Sequence, residues 1–270
     1  LKETNEIGFS GIEAGGKFPK NSNELIPKLE KENLKLCSGW YGANLLKNTV
    51  KEEILIMKDQ LDLFKECNAP CMVVAEVSGS IQGEVKIPLS KRPILNMDEW
   101  KTFYNKISEI SKYMEDTGVP LAYHHHMGTV VQSQEDTERL IDNTSDTVKL
   151  LIDTGHMMFA GGDFVKIAKD YSSRLQHVHC KDIRKDVLDM SLKNDLSFID
   201  AFFAGAFTVP GDGCINYENF LKILKNFNYK GWLVVEAEQD PKKANPFEYG
   251  KIGFNHLKKI ALDCGFEITR

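Results

Sequence analysis

Hydrophobic periodicity along the chain switches repeatedly between two kinds of segment. Short strand-like runs fall at Gly11–Ala14, Leu34–Trp40, Cys71–Val77, Leu121–His126, Val148–Asp153, Leu175–Cys180 and Trp232–Glu236. Longer segments with helical spacing lie between them. Thr49 with Glu52 forms a capping box ahead of an amphipathic run reaching Cys67, and Ser133 with Asp136 repeats the device. Asp98 opens a helix that places Trp100, Phe103, Tyr104, Ile107 and Met114 largely on one side. Strands alternating with helices predict parallel pairing through helical crossovers, an α/β chain.

The pattern yields seven strands, preceded by a helix at Lys2–Glu6 and followed by one over about Phe247–Cys264. A strand missing from the N-terminal side would make eight. Eight strand–helix units occupy about 250 residues, so residues 1–270 are expected to form one TIM (β/α)8 barrel with its first strand absent from this chain. A doubly wound open sheet is the alternative, but no Gly-rich phosphate loop follows any strand. A barrel without its first strand exposes two neighbouring strand edges, which predicts reduced stability or a partner covering the gap. Two connections exceed the usual few residues. One runs from Val77 to Met97 and the other from Lys181 to Ile215, with a short helix around Leu196–Phe203. Both follow strands and are expected to wall or lid a pocket on the catalytic face.

Composition narrows the function classes. A net charge of −5 gives no basic footprint for nucleic acid. No apolar run approaches the roughly 18 residues needed to cross a bilayer, and LKETNEIGFSG lacks the layout of a signal peptide. The six cysteines are scattered without CxxC spacing and read as reduced thiols, with Cys71 and Cys180 packed in strands. The expectation is a cytoplasmic protein with neither nucleic acid nor membrane as partner.

Six of the seven histidines sit in three short clusters: His124, His125 and His126; His156; and His177 with His179. Each cluster lies at or just past the C-terminal end of a predicted strand, where the active-site groups of a barrel converge. Alternation sends His124 and His126 to one face, and pairs His177 with His179. Asp153, Glu236 and Glu76 occupy equivalent strand ends. Neutral imidazoles with carboxylates suit Mn, Fe, Co or Zn. Each residue taken alone also has a plain reading. A strand-end histidine is more often a hydrogen-bonded structural group, Asp153 a cap and Glu236 half of an ion pair. Lys181, Asp182 and Arg184 read as a solvated loop, and Trp40 and Tyr123 as packing. Recurrence of a rare residue at the same point of three strands favours a metal or polar catalytic centre. A divalent ion chelating a carbonyl and its neighbouring hydroxyl acidifies the adjacent C–H, and histidine suits the base or acid role. The resulting enediolate leads either to isomerisation or to dehydration, and residue types alone do not choose.

The segments GFSGIEAGGKFP, LCSGWYGANLL, LAYHHHMGT, DTGHMMFAGGD, HVHCKDIR, FTVPGDG and WLVVEAEQD together span essentially the whole chain. In them it resembles the inosose dehydratases, xylose-isomerase-like TIM barrels of bacterial inositol catabolism. The resemblance implies a hydro-lyase that converts 2-keto-myo-inositol, a small polyhydroxy ketone, to a trihydroxycyclohexane-1,2-dione. It implies one metal ion held by Asp153, His179 and Glu236, with His124 where related barrels carry a glutamate. His124 is then a ligand or a base, and His126, His156 and Lys181 are substrate-contacting or proton-transfer groups. Lys17, Trp40, Glu76, Arg184 and Glu238 belong to the substrate pocket on the same grounds. Manganese or cobalt is the implied metal, zinc the alternative, and glutathione a further implied cofactor, although no residue pattern marks a site for it. A homo-oligomer is compatible with this reading. The competing readings are a sugar isomerase or epimerase on the same scaffold, an apurinic-site endonuclease, which the acidic pI disfavours, and a non-catalytic ligand-binding barrel.

Overall fold

A computed structural model describes residues 1–269. The first half of the chain runs α1 (Lys2–Ile7), β1 (Gly11–Ala14), α2 (Ser22–Lys31), β2 (Lys35–Ala43), α3 (Val50–Glu66), β3 (Met72–Glu76), α4 (Met97–Thr117) and β4 (Leu121–His124). The centre follows with α5 (Gln134–Asp142), β5 (Lys149–Asp153), α6 (Thr154–Phe159), α7 (Phe164–Asp170), β6 (Leu175–Cys180), β7 (Asp182–Ile183) and α8 (Lys185–Lys193). The chain then closes with α9 (Phe198–Ala204), β8 (Phe207–Thr208), α10 (Tyr217–Asn226), β9 (Leu233–Val235) and α11 (Pro246–Asp263). Seven strands pair in the order β1-β2-β3-β4-β5-β6-β9, all parallel. Helices cross over between them on the outside, as parallel pairing requires. The expected barrel is therefore present, and each of its seven strands overlaps a predicted one.

Local sequence fixes the helix starts. Thr49 and Ser133 each accept the backbone N–H three residues on, while Glu52 and Asp136 return to the cap. The α4 cap is Asn96, which accepts from Asp98 and Glu99, so the helix begins earlier than Asp98. Met57, Leu61 and Phe64 of α3 and Phe103, Ile107 and Met114 of α4 are buried against the outward-facing Val74, Tyr123, Leu150, Ile152 and Val178. Each large apolar side chain buried this way contributes about 1.5–3 kcal/mol. Inside the sheet, Cys71, Val73, Ala122 and Leu151 form a separate apolar plug. Above the plug the inward positions turn polar. His124 follows Ala122, Asp153 follows Leu151, and His179 follows His177, each two residues further along its strand. The core thus ends where the candidate chemistry begins.

Among the described residues, β1 and β9 are each paired on one side only. An eighth strand would fall between them. At their N-terminal ends they approach through Trp232, whose ring would lie 2.6 Å from a Cβ on Gly11, so a larger residue there would have to displace the ring. α1 packs on α11, with the Phe9 and Phe254 rings 4.9 Å apart.

The two long connections form a cap over the strand ends. They are joined by Leu89 N–H donating to the Leu196 carbonyl at 3.2 Å and Lys86 N–H to Asp200 at 3.2 Å. They share an apolar cluster that includes Leu89, Met127, Phe159, Leu188, Phe198 and Phe207. The second connection holds more than the single expected helix: α8, α9 and an antiparallel ribbon of β7 with β8. β4 also ends at His124, before His126, whose N–H donates to the Val131 carbonyl in a loop. No helix among the described residues is long and apolar enough to cross a membrane.

Candidate active site

β4, β5, β6 and the segment after β9 bring His124, Asp153, His179 and Glu236 together, with one ligand-type atom of each within 4.8 Å of all the others. Asp153 caps α6: its Oδ1 accepts the His156 N–H at 2.7 Å. That orients Oδ2 into the group, 3.7 Å from His124 Nε2 and 3.6 Å from His179 Nδ1. Glu236 Oε2 lies 2.8 Å from His179 Nδ1. The His124 Nδ1–H donates to the His125 carbonyl at 2.5 Å, which leaves Nε2 as a bare lone pair. Asp153 Oδ2, His179 Nδ1 and Glu236 Oε2 are buried with no well-formed hydrogen bond. Buried polar atoms are normally partnered. These three atoms converge on one point with a fourth lone pair beside them, an arrangement that fits a divalent cation. Two nitrogens with two carboxylates make a borderline-hard donor set.

Lys181 lies against this group, fully buried. Its Nζ is 3.3 Å from Asp153 Oδ2, 3.1 Å from Glu236 Oε2, 2.8 Å from Glu238 Oε2 and 2.9 Å from His156 Nε2. Burial alone would lower the lysine pKa, but Asp153, Glu236 and Glu238 outweigh it and hold the ammonium charged. Burial would likewise raise the Asp153 carboxyl, yet Lys181 and the surrounding imidazoles keep it well below the usual carboxylate range. Burial, with His126 and Lys181, pushes His156 down to about 4, so it is neutral near pH 7. Glu238 bridges onward, with Oε2 3.3 Å from His156 Nε2 and Oε1 3.8 Å from His126 Nε2. The His126 Nδ1–H donates to the Met127 carbonyl at 2.8 Å, which turns its Nε2 toward Glu238. Phe198 packs on both rings, at 5.1 Å from His126 and 5.6 Å from His156, and closes them from above.

The remaining expected site residues separate into two groups. Trp40 stands at the mouth, 38% exposed, its ring 5.5 Å from those of both His124 and His126. Lys17 is exposed on the turn after β1. Glu76 and Arg184 are not brought to the cluster. The Glu76 carboxylate accepts the N–H groups of Leu45 at 2.6 Å and Ser78 at 2.7 Å, which pins the loops after β2 and β3. Arg184 donates to the Gly205 carbonyl, Thr208 and Asp212 at 2.8, 3.0 and 2.6 Å and clamps the β7–β8 ribbon. Glu13 was not singled out in the sequence. It reaches His177 and His179 across the barrel interior at 2.9 and 3.1 Å. The available signal was a lone carboxylate inside the strand GIEA, on the opposite face from Ile12.

The glycine of DTGH has a steric reason. A Cβ on Gly155 would lie 2.8 Å from Lys181 Cγ and 3.0 Å from its carbonyl oxygen. Gly155→Ala is expected to cost about 1–3 kcal/mol of stability and to displace Lys181. Thermal unfolding and turnover should therefore fall together; a variant with wild-type kcat would show that Lys181 tolerates the shift.

Comparison with known proteins places these residues in context. The family model described as xylose isomerase-like TIM barrel matches residues 1–260. Inosose dehydratase 2 of Bacillus cereus is 44% identical over 251 residues, covering 92% of this chain and 84% of that protein. The rhizopine catabolism protein MocC of Rhizobium meliloti is 41% identical over 269 residues, covering 100% of this chain and 83% of its own length. Among solved structures, the probable 3-DHS dehydratase AsbF of Bacillus anthracis superposes with a TM-score of 0.71 at 14% identity, covering 95% of this chain and 91% of that one. The IOLI protein with a bound zinc atom gives a TM-score of 0.63 at 18% identity, covering 98% and 91%. At these identities the structural likeness speaks for the fold alone.

Proposed function

The chain belongs to the xylose isomerase-like TIM-barrel family, and within it we propose that it is a metal-dependent hydro-lyase that removes water from inosose to give a trihydroxycyclohexane-1,2-dione. One observation carries the reading: an imidazole–carboxylate shell whose ligand-type atoms converge on one point lies directly against a charged, buried lysine and the His126 imidazole. Similarity over 92% of this chain and 84% of the relatives named inosose dehydratase supports the substrate.

His124, Asp153, His179 and Glu236 would hold the ion, and manganese or cobalt suits the mixed donors, with zinc as the alternative. When bound, the ion supplies Lewis-acid polarisation of the ketone and so acidifies the adjacent C–H. His126 Nε2 takes that proton. Lys181 donates one to the β-hydroxyl as it departs, so that it leaves as water rather than hydroxide. Glu238 touches the Lys181 ammonium through Oε2 and faces His126 through Oε1, which gives the abstracted proton a route back to the lysine. His156, beside both, holds Glu238 in place. Phe198 and Phe207 exclude bulk water from the relay, and Trp40 and Lys17 border the entrance. Glu76 and Arg184 contribute by fixing the loops that shape the pocket. The physiological setting is cytoplasmic inositol catabolism.

Protein loaded with Mn²⁺ or Co²⁺, with and without glutathione, is expected to convert inosose to a product with new ultraviolet absorbance. Chelation should abolish the activity and ion replacement restore it. Solvent exchange of the substrate C–H with no new absorbance would instead identify an isomerase or epimerase. Failure to take up any ion would favour a ligand-binding barrel.

A further inference from the structure

Glu13 touches none of the four atoms that converge on the ion site, yet it governs one of them. We propose that Glu13 is a positioning residue: one of its carboxylate oxygens accepts the Nε2–H of both His177 and His179 and so fixes the His179 tautomer whose Nδ1 faces the ion. This rests on the metal-dependent reading above.

The argument is geometric. His179 Nδ1 lies 2.8 Å from Glu236 Oε2 and 3.6 Å from Asp153 Oδ2, so Nδ1 is the atom turned to the site. An imidazole ligates through a lone pair, and its single proton must then sit on Nε2. A buried N–H there needs an acceptor. The Glu13 Oε1 supplies it at 3.1 Å, and the same oxygen lies 2.9 Å from His177 Nε2. The His177 side chain meets Glu13 and the His179 ring. Its role is to hold the carboxylate from beneath, two residues before His179 on β6. The β1–β2 register shifts beside Glu13, where β2 carries one extra residue, Cys37, between the partners of Ile12 and Glu13. The contact also spans strands that are not neighbours, β1 and β6. It links one end strand of the sheet to the strand beside the other end. Without Glu13, the His179 proton could move to Nδ1, where it would oppose a cation.

The test compares wild type, Glu13→Gln and Glu13→Ala by calorimetric titration with Mn²⁺ and by the visible spectrum of the Co²⁺-loaded protein, with circular dichroism as the folding control. The glutamine variant keeps an acceptor oxygen but loses the charge, so its ion affinity is expected to fall about 10-fold, and that of the alanine variant up to about 100-fold. The cobalt spectrum should change in the alanine variant and recover in the glutamine one. If the alanine variant does not fold, the near-isosteric glutamine variant decides by affinity. Tight wild-type binding with unchanged affinity in the folded variants overturns this inference alone, as does a wild-type stoichiometry of two ions that falls to one without Glu13. Wild-type protein that takes up no ion sinks the metal-dependent reading and this inference with it.

Discussion

Asp153→Asn is expected to abolish ion binding and to lower kcat/KM by at least about 10³-fold, equivalent to about 4 kcal/mol of transition-state stabilisation. The substitution isolates one of the two jobs that Asp153 performs. Asparagine retains an Oδ1 that can accept the His156 N–H, so the α6 cap and the start of that helix survive. At the other position it replaces a carboxylate oxygen by an NH₂ group. Two donors would then face the His124 and His179 lone pairs and the Lys181 ammonium, where Oδ2 now stands. Elemental analysis after dialysis, together with circular dichroism, checks the separation: a native fold with little bound metal. A variant that keeps a full complement of ion and activity within about 10-fold of wild type would show that Asp153 is only a cap.

That dual role shows why the candidate site was partly legible in the sequence. Buried parallel strands read as apolar runs, so all seven were recognisable. The histidines then stood out because each interrupted such a run at its end. Glu76, Asp153 and Glu236 occupy equivalent positions by that criterion. What separates them is which neighbouring backbone groups lack partners. Glu76 turns away to satisfy the N–H groups of Leu45 and Ser78, a contact fixed by loops more than thirty residues upstream and just downstream. Asp153 has only its own helix start to satisfy by hydrogen bonding and turns its second oxygen toward His124, His179 and Lys181.

Elements of two residues carry no periodicity, so β7 and β8 were invisible. With them went the account of Asp182 and Arg184. Asp182 accepts the N–H groups of Gly211 and Ile215 at 3.1 and 2.9 Å, and Arg184 grips Asp212. Both therefore act on a loop some thirty residues away rather than on a substrate. Glu13 lay beyond sequence reasoning for the same reason. Its partners are 164 and 166 residues distant, and only closure of the sheet brings them together.

Lys181→Met gives the second large effect, and it separates electrostatics from chemistry. Methionine is close to the lysine stem in shape and keeps the packing around Gly155 and Phe207. Turnover should fall about 10²–10⁴-fold, the range for loss of a positioned acid, while the ion remains bound by side chains the substitution does not alter. Stability should respond differently with and without the ion. In ion-free protein, Asp153, Glu236 and Glu238 lose the one ammonium that faces all three. Breaking a buried pair in this way costs about 3–5 kcal/mol. With about 1 kcal/mol corresponding to 2–4 °C in a chain of this size, the ion-free midpoint should drop by roughly 10 °C. In ion-bound protein, the cation compensates Asp153 and Glu236, and only Glu238 loses its partner. The stabilisation by Mn²⁺ should therefore be larger in the variant than in wild type. Thermal melts with and without Mn²⁺, alongside kcat, measure both effects. Equal stabilisation in the two proteins would mean that the ion does not bind beside Lys181. A kcat within about 3-fold of wild type would remove Lys181 from the proton path and leave the leaving-group proton to His156.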